Sequence, residues 1–90
     1  FGISFFQKLS EDFIREFKDK VSWITISSCQ KLSEDFIIEF QDKLDWDYIS
    51  YYQILSETFI RKFYNKLNPK LLVQNNNIPQ YIKETIKLLS

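Results

Sequence analysis

The sequence has no His, no Met and no Ala, and it has one Cys. Without His the chain lacks the usual general base near neutral pH and the commonest metal ligand. The lone Cys29 excludes an internal disulfide and any multi-cysteine metal site. Net charge is also missing, because twelve basic side chains balance twelve acidic ones. No overall field therefore steers a polyanion or an anionic membrane toward the chain. No apolar run approaches the roughly 20 residues of a membrane span, so no membrane partner is expected. No signal-peptide pattern is visible. Without Met, Phe1 is not a translational start, and the chain is expected to be a piece of something longer. These absences weaken every enzyme reading, and neither catalytic residues, metal nor cofactor are expected.

The 90 residues fit one domain, 1–90. Within it the sequence repeats itself. Gln7-Lys8-Leu9-Ser10-Glu11-Asp12-Phe13-Ile14 returns as Gln30-Lys31-Leu32-Ser33-Glu34-Asp35-Phe36-Ile37 and, altered, as Gln53-Ile54-Leu55-Ser56-Glu57-Thr58-Phe59-Ile60. The offset is 23 residues each time, and Trp23 and Trp46 keep it. So do Phe17, Phe40 and Phe63. The tail stays in step through Leu72, Ile78, Ile82 and Ile86, with Pro69 where a Trp is due. The units are 1–22, 23–45, 46–68 and a degenerate, capping unit 69–90.

Each unit reads as two helices. Ser10, Ser33 and Ser56 suit an N-cap, with acids after them and Lys near the far end, matching the helix dipole. Leu9, Phe13, Phe17 and Val21 fall at fourfold spacing, the stripe of an amphipathic helix. The expected longer helices run near 10–20, 33–43, 56–66 and 79–89. Shorter ones follow Ser22, Asp45 and Asn68, near 23–30, 46–53 and 69–75, with a trace near 1–7; Pro69 stands at a first helical position. Pairs this short must stack to bury their stripes. The expected fold is all-α, an α-solenoid of about four helix–turn–helix repeats.

The pattern Trp-x-x-Ile-Ser-x-x-Gln-x-Leu-Ser-Glu-x-Phe-Ile, nearly whole from Trp23 to Ile37, resembles a repeat encoded in many copies by giant DNA viruses of amoebae (mimivirus- and marseillevirus-like). It covers 1–68 closely and 69–90 loosely. The wealth of Phe, Ile, Lys, Asn and Tyr, residues with AT-rich codons, agrees with it. The resemblance implies a viral component, in the particle or the host cytoplasm, and brings no catalytic residue with it.

Several residues stand out. Trp23 and Trp46 are expected as core wedges between neighbours. Gln7, Gln30 and Gln53 fall on the inward stripe and need partners for their amides, which suggests a hydrogen-bond ladder between repeats. Glu11, Glu34 and Glu57 read as solvated helix starts. Cys29 reads as a small, partly buried thiol, and 74–77 as a polar loop. Between the constant positions, Tyr48, Tyr51 and Tyr52 form an aromatic cluster that suits a protein partner. Phe1, Phe5 and Phe6 have nothing before them to cover them, so they are expected to pack on further repeats or on neighbouring subunits. The function expected is a non-enzymatic structural or protein-interaction module. The alternative is a nucleic-acid binder using the columns Lys8 and Lys31, and Lys20, Lys43 and Lys66; flanking acids make nucleic acid the weaker reading.

Overall fold

A computed structural model describes residues 8–89. Among these the chain is all-helical, with seven helices and no strand. They are α1 (Glu11–Glu16), α2 (Trp23–Cys29), α3 (Glu34–Glu39), α4 (Trp46–Tyr52), α5 (Glu57–Lys62), α6 (Pro69–Leu72) and α7 (Gln80–Leu89). The trace of helix expected near 1–7 lies outside the described residues.

Each helix start is chemically marked. Ser10, Ser33 and Ser56 accept a hydrogen bond from the backbone N–H three residues on, as N-caps do. Ser22, Asp45 and Asn68 cap α2, α4 and α6, and Pro69 opens α6.

The expected difference in length does not appear. α1, α3 and α5 have six residues, α2 and α4 seven. The helices expected to reach residues 20, 43 and 66 stop at Phe17, Phe40 and Phe63. There the backbone leaves the helical region, at φ −108°, ψ 29° for Phe17 and φ −110°, ψ 28° for Phe40. A second, separate turn follows, in which the Phe17 carbonyl accepts from both Lys20 (2.8 Å) and Val21 (3.2 Å). The same forked bond recurs at Phe40 and Phe63. The break exposes the carbonyls of Lys18 and Gln41, which take the indole N–H of Trp23 (3.0 Å) and Trp46 (2.9 Å). Fourfold apolar spacing fits a helix broken in this way as well as a continuous one.

Equivalent helices stack: α2 packs on α4 and α4 on α6, while α6 meets α7. Ile14, Ile26, Phe36, Ile37, Ile49, Phe59, Leu72, Ile82 and Ile86 belong to one continuous core. Each fully buried Ile or Leu contributes about 2 kcal/mol of apolar transfer energy. Two serines are buried in it. Ser27 Oγ donates to the Trp23 carbonyl (2.7 Å) and accepts from the Asp45 N–H (2.9 Å). Ser50 repeats this with the Trp46 carbonyl (2.7 Å) and the Asn68 N–H (2.9 Å). A hydroxyl in one helix thus anchors the cap of the next equivalent helix. Replacing Ser50 with Ala strands the Asn68 N–H beside the core. We expect a loss of about 1–3 kcal/mol, read as a lower urea midpoint at an unchanged m-value.

Candidate interaction surface

A helix of six or seven residues is nearly all ends, and its last carbonyls have no partner within it. The glutamines supply one. Gln53 Nε2 donates to the carbonyls of Ser27 (2.9 Å) and Gln30 (2.7 Å) at the end of α2, and its Oε1 accepts from Leu32 N–H (3.1 Å). Gln30 Oε1 accepts likewise from Leu9 N–H (2.9 Å). Both side chains are buried. Gln7 lies outside the described residues.

The column continues where the sequence hides it. The residue 23 positions after Gln53 is Asn76, which is exposed. Asn75 takes the role instead. It is fully buried, and its Nδ2 donates to the carbonyls of Ser50 (2.8 Å) and Gln53 (2.9 Å). Its Oδ1 accepts from its own loop, at Asn77 N–H (2.8 Å). The polar loop expected at 74–77 therefore includes a core amide. The chemistry signals it, since the amide is kept; the one-residue shift conceals it.

The acids at the helix starts are not merely solvated. Glu11 accepts from both the N–H (2.7 Å) and the hydroxyl (2.9 Å) of Ser33, the cap of α3. Glu34 does the same to Ser56 (2.7 and 3.1 Å). At the next step stands Pro79, which offers neither group, and Glu57 pairs with Arg61 at 2.7 Å. Arg15 reaches from α1 to Glu39 at 2.9 Å and also touches Asp12. The hydrogen bond that Arg15 donates to Glu39 raises the Arg15 pKa above its ordinary value.

Trp23 lies against Phe36 and Phe40, with centroids at 6.4 and 5.2 Å. Trp46 lies on Phe59 and Phe63 at 6.4 and 6.0 Å. The rings thus pack within their own unit, while the indole N–H reaches back to the preceding one. Phe13 and Phe17 keep the same mutual spacing, 4.7 Å, but are 41% and 36% exposed, against 0% and 8% for Phe36 and Phe40. They are the pair that no described Trp covers. Phe1, Phe5 and Phe6 lie outside the described residues.

Tyr48, Tyr51 and Tyr52 come together on the outer face of α4. Tyr48 stacks on Tyr52 at 6.1 Å, and Tyr51 meets Tyr52 edge-on at 4.7 Å. All three are exposed. Cys29, expected to be partly buried, is exposed as well; it is the last residue of α2, and its thiol lies 3.4 Å from the Ser28 hydroxyl. Lys8, Lys20, Lys31, Lys43 and Lys66 are exposed; Lys66 lies over the Trp46 ring at 5.8 Å. A groove of about 340 Å³ opens between α5 and α7 beside Ile60, Arg61, Tyr81 and Ile86. Ile82 is smaller than Phe36, and Thr85 cannot draw Arg61 across as Glu39 draws Arg15.

Among the described residues no group of three or more acids or thiols could hold a metal ion. No helix there is long and apolar enough to cross a membrane. No protein-family model matches the chain, and neither a curated protein nor a solved structure does.

Two substitutions test the columns. Gln53→Leu removes the donors to the Ser27 and Gln30 carbonyls and the acceptor for the Leu32 N–H, and we expect about 3 kcal/mol of destabilisation by urea unfolding. Ser33→Ala removes both a cap and a hydroxyl bond to Glu11, whereas Ser10→Ala removes only a cap. Ser33→Ala is expected to cost more than the ~1 kcal/mol of a cap alone, by roughly 1 kcal/mol. Equal midpoints for the two variants would show the Glu11 bond to be worthless.

Proposed function

We propose that this chain is a non-enzymatic structural and protein-interaction module, built as an α-solenoid of four 23-residue repeats and belonging to a viral assembly. One observation carries the reading: bonds of the same kind join equivalent positions at successive steps, a side-chain amide nitrogen to two carbonyls and a Glu to a cap Ser. Gln53 to Ser27 and Gln30 is followed by Asn75 to Ser50 and Gln53. Glu11 to Ser33 is followed by Glu34 to Ser56. A unit whose polar groups are completed by its neighbour is a stacking element first. The elongated outline, 40 × 22 × 16 Å, agrees with stacking in one direction. The viral placement, in the particle or the host cytoplasm, rests on the repeat pattern from Trp23 to Ile37 and on the AT-rich composition.

Exposed Phe13 and Phe17 at one side, and Tyr81, Leu88 and Leu89 at the other, favour contact with further repeats or subunits. Residues 1–90 are therefore expected to self-associate with rising concentration in sedimentation velocity. A Trp added directly before Phe1 would fall 13 and 17 residues ahead of Phe13 and Phe17, the spacing at which Trp23 meets Phe36 and Phe40. It should weaken association and lower the binding of a dye for apolar surface. A clean monomer of the unextended chain at high concentration, with no dye bound, would sink the interaction reading. A salt-dependent shift with RNA or DNA would move it to the Lys columns. An antibody against residues 23–68 that labels purified particles would support the virion; labelling of infected cytoplasm alone would not.

A further inference from the structure

The outer face of α4 departs from the repeat. Where α2 carries Thr25, Ser28 and Cys29, α4 carries Tyr48, Tyr51 and Tyr52, while the buried residues keep their places. Packing does not explain the change, since the three rings are 38%, 36% and 46% exposed. They stand at i, i+3 and i+4, so they share one side of the helix. None of their hydroxyls is bonded to another described residue. They wall a groove of about 460 Å³ with Asp45, Asp47 and Leu71.

The acids matter as much as the rings. Asp45 spends one oxygen on the N–H groups of Asp47 and Tyr48, and Asp47 one on the Asn68 amide at 3.2 Å. Each keeps a second oxygen, and neither carboxylate forms an ion pair among the described residues. The groove therefore offers flat aromatic faces and hydrogen-bond acceptors, with no cation of its own paired to them.

We propose that this groove docks an arginine-bearing segment of a partner protein. A guanidinium is planar, stacks on aromatic faces, and carries five donors and no acceptor. It matches phenol rings beside unpaired carboxylates. Phosphate does not, because the same two carboxylates repel it, so a nucleic acid stacking its bases here is disfavoured. The proposal rests on the reading of the chain as an interaction module and names its partner chemistry.

The test is fluorescence anisotropy with labelled hexa-arginine, hexa-glutamate and oligouridine. Hexa-arginine is expected to bind, and binding should weaken as salt rises. Replacing Tyr48→Thr, Tyr51→Ser and Tyr52→Ser together installs side chains that α2 already carries or, at the last position, its oxygen analogue. Affinity should fall tenfold or more, and Asp47→Asn should lower it about threefold. If the triple variant does not fold, the single exposed changes Tyr51→Ser and Asp47→Arg serve, each with a loss of at least threefold. Unchanged hexa-arginine binding in these variants overturns the proposal, as does preference for oligouridine or hexa-glutamate. A chain that self-associates yet ignores hexa-arginine keeps the module reading and overturns this one.

Discussion

Helices of six or seven residues leave most of their backbone groups without partners inside themselves, and everything else in this protein follows from how those groups are met. A buried carbonyl without a donor costs about 1–3 kcal/mol, comparable to what one fully buried Ile contributes. Gln53 removes that cost at three places at once, by giving two protons to the end of α2 and taking one from Leu32. The backbone bonds that a sheet would supply between strands are supplied here by side-chain amides between helices. This explains why the inward stripe carries a Gln where another apolar residue would bury more surface.

The same constraint sets the register. Ser27 and Ser50 hold the following cap, and Glu11 and Glu34 hold the following Ser. These bonds link residues 18 or 22 positions apart, so one slip would break all of them together. Apolar contacts tolerate small displacements; a hydroxyl at 2.7–2.9 Å does not. The core supplies the attraction and the polar columns select one arrangement. Surface ion pairs such as Arg15 with Glu39 add little to either.

Much of this was legible because repetition turns one sequence into several aligned ones. The caps, the buried face and the amides of Gln30 and Gln53 all follow from positions that hold a 23-residue step. Two things were not. The break at Phe17, Phe40 and Phe63 lies in a backbone angle, and an apolar stripe with fourfold spacing continues through it unchanged. Asn75 lies one residue off the step, because α6 is shorter and an Asn side chain has one methylene fewer than Gln. The Glu11 and Glu34 bonds were hidden for another reason. An acid in a first helical turn already has an adequate local explanation, so nothing in its position asks for a second partner. The exposed thiol of Cys29 belongs here too, because spacing alone does not separate half-buried from exposed at a helix end.

A frame that consumes so many side chains leaves few free to specialise, and that narrows where function can reside. In α4 the inward residues Ile49 and Ser50 repeat Ile26 and Ser27, while the outward ones change from Thr, Ser and Cys to three Tyr. In the last unit the change runs the other way, and the frame itself is dismantled. Pro69 replaces the Trp, Pro79 removes the donors that Glu57 would need, and Asn75 turns its oxygen back to its own loop. Each loss removes a group whose purpose is to bond to another unit. Outward change with an intact frame leaves the bonds between equivalent helices in place; frame change with an intact core removes some of them. The two kinds of departure occupy different residues, so a partner can be gained on α4 without disturbing the stacking that holds α4 in place.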